Sequence, residues 1–206
     1  MTTLLLIRHG DNDSLKKGTL AGRTPGIHLN DKGRQQAADL AQSLAKAPIK
    51  AIYVSPLERA GETAEPLATA LGLQRQVRSG LVDGDFGEWQ GQKLKTLHKH
   101  PLWKQVVSAP SRVRFPGGES FMEMQTRLVT EIDAICARHE KDLVAVVFHA
   151  DPIKTVLTHY LGMPLDNFQR LMIHPGSVSI LSVDPKRTLL LALNLIPPFQ
   201  FQFPKK

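Results

Sequence analysis

Cysteine is almost absent. Cys136 stands alone among 206 residues, so no internal disulfide can form, and the chain reads as a protein of a reducing compartment, the cytoplasm. Cys136 falls on one helical face with Leu128, Ile132 and Ile135, which makes it a core residue rather than a reactive one. Long apolar runs are missing too. No stretch approaches the ~20 residues needed to cross a bilayer, so no membrane partner is expected. Residues 1–10 carry no basic start and only a short apolar run, unlike a signal peptide. There is no internal repeat and no low-complexity linker, which leaves a single domain over 1–206. The formal net charge is +7, yet lysine and arginine are scattered rather than gathered into a stripe. That pattern suits a small anionic partner better than nucleic acid. At 42% hydrophobic residues, the chain can bury one α/β core.

Two short apolar runs carry most of the information. Leu4-Leu5-Leu6-Ile7 reads as a strand buried on both faces and runs straight into Arg8-His9-Gly10. Leu143 to Phe148 is a second such strand and ends on His149. In open α/β sheets, ligands bind beyond the carboxyl ends of the strands. Two strands thus deliver a histidine each to one sheet edge. A third strand, Ala51–Val54, runs into Ser55-Pro56-Leu57-Glu58, which has capping-box spacing, and places Arg59 in the first helical turn at that edge. After His149, Asp151 suits a helix N-cap and Pro152 the first helical position. Two arginines, two histidines and a helix N-terminus at one point describe a phosphate site.

The remaining elements predict a three-layer α/β/α fold around a mostly parallel sheet. A helix follows Asn30 with Ala37, Leu40, Ala41 and Leu44 inward. Another covers about 56–71 and stops at Gly72, and a short strand lies near 74–78. Residues 79–118 are irregular, with two short helical patterns, and form a small cap-like insertion over the site. Ser120 and Glu123 cap a long helix reaching about residue 139. Ser177–Val183 and Thr188–Asn194 read as an antiparallel edge hairpin. The tail at 197–206 holds three phenylalanines that either cover surface or meet a second copy in a homodimer.

Leu6-Ile7-Arg8-His9-Gly10, Ser55-Pro56-Leu57-Glu58-Arg59-Ala60 with Thr63-Ala64, Leu81-Val82-Asp83-Gly84-Asp85-Phe86-Gly87-Glu88-Trp89-Gln90-Gly91, Phe115-Pro116-Gly117-Gly118-Glu119-Ser120 and Val147-Phe148-His149 stand in a definite order over nearly the whole chain. In sequence and spacing the chain resembles the histidine phosphatase superfamily, which includes the cofactor-dependent phosphoglycerate mutases. The resemblance implies His9 as nucleophile, Arg8 and Arg59 as phosphate-binding groups, and His149 as a further donor. Gly10 would let the backbone approach the anion closely. No metal or other cofactor is implied, because guanidinium groups can hold the phosphoryl oxygens bidentately.

Some assignments stay open. The family's general acid is a glutamate where this chain has Asp83, one methylene shorter. Asp85 and Glu88 lie on the same segment. Asp151 is a rival, since a related branch takes its proton from an aspartate just after the second histidine. Asn12 and Arg23 are candidate substrate contacts, and Leu15 occupies a place where the family often has asparagine. His9-x-Asp11 and His149-x-Asp151 can also be read as paired metal-ligand motifs, although the adjacent arginines would repel a cation. Trp89, Leu94, Leu97, Trp103, Phe115 and Phe121 either line an apolar pocket or form the cap's own core. The expected activity is metal-independent hydrolysis of a small phosphorylated metabolite through a phosphohistidine. Mutase-type transfer is the alternative, disfavoured because the mutases carry longer inserts. A non-catalytic phospho-ligand binder is the third reading.

Overall fold

The computed structural model describes residues 1–184 and 186–199. In chain order its elements are β1 (Thr2–Arg8), α1 (Asp13–Lys16), α2 (Asp31–Leu44), β2 (Ile49–Val54), α3 (Glu58–Leu71), β3 (Arg75–Val77), α4 (Leu94–Leu97), α5 (Trp103–Ser108), α6 (Phe121–Arg138), β4 (Leu143–Phe148), α7 (Ala150–Tyr160), β5 (Val178–Val183) and β6 (Leu189–Leu195). Among the described residues the six strands form one sheet in the order β3-β2-β4-β1-β5-β6. β1, β2, β3 and β4 run parallel, and β5 pairs antiparallel with both β1 and β6.

The apolar runs are strands because a central parallel strand must be apolar on both faces. Leu4 and Leu6 point to one face, where they join Val144, Val146, Phe148 and the buried sides of α6 and α7. Leu5 and Ile7 point to the other, with Ala145, Val147 and the buried stripes of α2 and α3. All four β1 residues have no exposed surface, and burying a side chain of this size fully is worth ~1.5–3 kcal/mol. The sheet therefore makes a stiff base whose strand ends are well fixed.

Several local expectations hold. Ser120 accepts from the Glu123 amide while the Glu123 carboxylate accepts from the Ser120 amide, the reciprocal cap that starts α6. Gly72 ends α3 at φ 64°, a left-handed position that glycine reaches without a Cβ penalty. Two N-caps differ from expectation. Ser55 does not cap α3, which starts at Glu58 behind Leu57 without a side-chain cap. The Ser55 amide instead extends the β2–β4 ladder to Val147 O at 3.0 Å, so the chain is still strand there. Asp151 does not cap α7, because the cap position is His149; Asp151 lies inside the first turn and pairs with Lys154 at 3.2 Å.

Residues 79–118 contain three 3₁₀ turns besides α4 and α5. Leu81, Phe86, Trp89, Leu97, Val106 and Phe115 from this stretch are buried in the same core as α6 and α7. Of the tail, Phe199 packs against the α2–α3 side of the core, and its amide donates to Ser43 Oγ at 3.2 Å. Residues 200–206, with the other two tail phenylalanines, lie outside the described residues.

Candidate active site

Three neighbouring strands end at one edge. The His9 amide donates to Phe148 O and the Ser55 amide to Val147 O, both at 3.0 Å. These bonds carry the ladder one residue past each strand and set His9, His149 and Ser55 side by side. The two imidazole centroids are 5.2 Å apart, and both rings are almost wholly buried. His9 Nδ1 lies 2.8 Å from Gly10 O. A carbonyl can only accept, so Nδ1 carries the proton and Nε2 keeps a free lone pair. His149 Nε2 shares a hydrogen bond with Ser55 Oγ at 2.8 Å, and its Nδ1 faces Asp83 Oδ2 at 3.6 Å.

The arginines surround this pair. Arg59, in the first turn of α3, is fully buried, an arrangement that is rare unless the charge is paired. Its Nη2 donates to Gly22 O at 2.7 Å and to Asp83 Oδ2 at 3.1 Å, while Nε and Nη1 have no partner among the described residues. Arg8 Nη1 donates to Ile173 O at 2.6 Å and its Nε is likewise unpartnered. Buried donors left over on two guanidinium groups suit a group rich in acceptor oxygens. Burial, reinforced by Arg59 and Arg8, holds both His9 and His149 well below the ordinary imidazole pKa, so His9 is neutral at neutral pH.

Of the four acid candidates, two reach the cavity that opens here. Asp83 and Asp151 both line it, whereas Asp85 and Glu88 do not. Asp85 is held by the Gly87 amide and Arg23. Burial raises the Asp83 carboxyl to about 6, partly countered by the Arg59 charge and the Gly84 amide. A carboxyl with this pKa holds a proton often enough near neutrality to give it away. Asp151 is tied to Lys154, and Asp11 to Lys32 at 3.1 Å, so each aspartate of the two His-x-Asp motifs faces a lysine. Among the described residues no group of three or more His, Cys, Asp or Glu is arranged to hold a metal ion.

Three residues expected near the phosphate do other work. The Gly10 amide donates to Thr63 Oγ1 at 2.9 Å, and a Cβ on Gly10 would meet Gly33 O at 2.7 Å. Gly10 thus lies against α2, where a side chain would not fit. Arg23 does not line the cavity. Its Nε donates to Asp83 O at 3.0 Å and its two terminal nitrogens meet Asp85 and Glu119. Asn12 does line the cavity, but its Oδ1 caps α1 by accepting from the Leu15 amide. Its buried Nδ2 has no partner among the described residues and remains available to a ligand.

The sequence reading passed over a set of supports. Ser55 orients His149, and Thr63 ties Gly10 to Arg59 O, the latter at 2.6 Å. Glu119 accepts from the Asp85 amide and Arg127 through Oε1, and from Arg23 through Oε2. Arg127 also donates to Gly80 O at 2.8 Å and Val82 O at 3.0 Å. Glu119, Arg23 and Arg127 therefore grip the Asp83 segment from both sides. Its visible trace in the sequence was only Glu119 inside the Pro-Gly-Gly-Glu-Ser run, where no spacing announces a clamp.

The cavity measures about 370 Å³, the size of a small-metabolite site. Arg8, His9 and Asp83 line it together with Leu15, Leu94 and Trp103.

Comparison with known proteins agrees with this arrangement. The histidine phosphatase superfamily (branch 1) matches residues 4–196, and the chain belongs to that family. Phosphoserine phosphatase 1 of Hydrogenobacter thermophilus is 30% identical over 200 residues, covering 95% of this chain and 93% of its own. Among solved structures, YhfR of Bacillus stearothermophilus superposes with a TM-score of 0.89 at 27% identity, over 95% of this chain and 98% of its own. A phosphoserine phosphatase from Entamoeba histolytica, solved with phosphoserine, gives 0.86 at 26% identity, over 94% and 97%. The protein is a histidine phosphatase whose relatives act on small phosphorylated metabolites. Among the described residues no helix is long and apolar enough to cross a membrane.

Proposed function

We propose that the chain hydrolyses small phosphomonoesters without a metal, through a phosphohistidine on His9. The carrying observation is the His9 ring. Its Nδ1–H is held by Gly10 O, its Nε2 lone pair is free, and unpartnered guanidinium nitrogens of Arg8 and Arg59 surround it. In the first step Nε2 attacks phosphorus and the ester P–O bond breaks. The departing alcohol oxygen takes the Asp83 proton. In the second step water attacks the phosphohistidine, its proton returns to Asp83, and orthophosphate leaves with His9 restored. Arg8, Arg59 and His149 stabilise the equatorial oxygens, which carry spread negative charge in a loose transition state. Binding of a dianion favours the protonated form of His149, opposing the burial that keeps it neutral in the empty site. A cytoplasmic setting belongs to the same reading and suits the free thiol of Cys136.

The test is a panel of phosphomonoesters assayed with and without excess chelator and with vanadate, which mimics a five-coordinate phosphoryl group. Turnover that survives chelation and is blocked by vanadate is the expected result. Activity lost on chelation and restored by zinc or manganese overturns the metal-free mechanism.

A further inference from the structure

We infer that the apolar wall of the cavity is a subsite for an apolar alcohol, so that this chain prefers phosphate esters of alkyl or aryl alcohols over those of small zwitterionic ones. The inference rests on the phosphatase reading above and names its substrate class.

Burial separates the cap's own core from the wall a ligand would touch. Phe86, Trp89, Val106, Phe115 and Phe121 border the cavity but are 1–4% exposed and packed on one another. Four large apolar residues are different. Leu20, Leu94 and Trp103 are half-buried, and Leu15 is 36% exposed, all four lining the same cavity. They come from α1, the loop after it, α4 and α5, so separate segments leave apolar surface open at one place. Trp103 is held flat, stacked on Trp89 at 6.0 Å between ring centroids and flanked by His98 at 4.4 Å. A half-buried aromatic on the wall of a phosphate site offers surface that a hydrophobic leaving group would cover.

A charged pair on the cavity wall argues against a zwitterion. Lys154 and Asp151 are bonded to each other, and Lys154 also meets Gln169 Oε1 at 3.3 Å and lies over the Phe168 ring. A carboxylate or ammonium on the substrate gains from Lys154 or Asp151 only by breaking that pair. An apolar body needs none.

Affinity of phosphonates tests the subsite without requiring turnover. The probes are methyl-, butyl-, hexyl- and phenylphosphonate, with 2-amino-4-phosphonobutanoate as the isostere of phosphoserine, titrated into the wild-type chain by calorimetry. Half-burial of each methylene predicts about a twofold gain per carbon, hence roughly thirtyfold from methyl to hexyl. The Leu15→Asn variant alters an exposed position and should flatten that slope by about half while keeping the fold. Trp103→Ala should weaken phenylphosphonate about tenfold, with near-ultraviolet circular dichroism reporting whether the cap survives. A flat alkyl series, or tighter binding of the amino-acid isostere than of hexylphosphonate, overturns the proposal. A steep series with no ester hydrolysed would support the subsite and instead count against the phosphatase mechanism.

Discussion

At the sheet edge, His9, Ser55 and His149 follow the last residues of three adjacent strands, and the amides of His9 and Ser55 extend the sheet ladder itself. On the apolar wall of the cavity, Leu15, Leu94 and Trp103 stand on helices of four, four and six residues. Helices this short are not stable alone and keep their shape through packing. The contrast separates two demands. In-line displacement at phosphorus needs atoms fixed to a fraction of an ångström, and a sheet edge gives that. Choice of alcohol needs only a surface, which short segments can supply and exchange. The Asp83 segment is gripped from both sides by Arg23, Glu119 and Arg127.

The comparison can be broken most severely at the sheet edge. His9→Ala should lose about 10⁴-fold or more in kcat with the fold intact, because no neighbouring group can replace a covalent nucleophile. Steady-state assay beside thermal unfolding checks both halves of that expectation.

Asp83→Asn comes next. An alkyl ester must be protonated as it leaves, whereas an aryl ester leaves readily as a phenolate. The substitution should therefore slow alkyl esters by roughly 10²–10⁴-fold and aryl esters much less. In the wild type, kcat/KM for an alkyl ester should fall as pH rises above about 6, where Asp83 loses its proton, and that limb should vanish in the variant. An equal loss on both ester types would pass the role to Asp151.

Glu119→Gln probes the grip on the acid segment. It keeps the size of the side chain but weakens its bonds to Arg23 and Arg127, so the Asp83 segment should loosen. About a tenfold loss in kcat on alkyl esters, with aryl esters largely spared, is the expected split. A matched loss on both would mean that Glu119 supports more than the acid.

The smallest effect is on stability, and it has a definite sign. Burial raises the Asp83 pKa in the folded state, so folding favours the protonated form. The stability this group contributes is present below its unfolded pKa near 4 and is lost as pH rises to about 6. Asn imitates the protonated carboxyl. Asp83→Asn should thus be more stable than wild type at pH 7.5, on the order of 1–2 kcal/mol, with the gap closing near pH 4. Denaturant midpoints at the two pH values measure it.

The sheet end was also the more legible one. Leu4–Ile7 and Leu143–Phe148 announced buried strands because only a two-faced central strand needs unbroken apolar runs, and a histidine at the end of each followed from that. Ser120 and Gly72 were readable because caps and stops are local. Ser55 misled for a physical reason: its Ser-x-x-Glu spacing fits a cap, but its amide completes the ladder and its hydroxyl turns to His149. Asp151 misled because the helix starts two residues earlier than its proline suggests. The grip on Asp83 could not be read at all. Arg23 and Glu119 are 96 positions apart, and only the fold brings them to 3.0 Å. Which cap aromatics face a ligand was hidden too, since Trp89 and Trp103 have the same composition value and differ in burial alone.

The most direct test of the account is to trap the intermediate. Wild-type protein quenched during turnover of a ³²P-labelled phosphomonoester should carry protein-bound phosphate that survives base and is lost in acid, mapping to the peptide containing His9. The His9→Ala variant should carry none. Turnover by the wild type with no such label, or equal labelling of the variant, would contradict a phosphoryl transfer through His9.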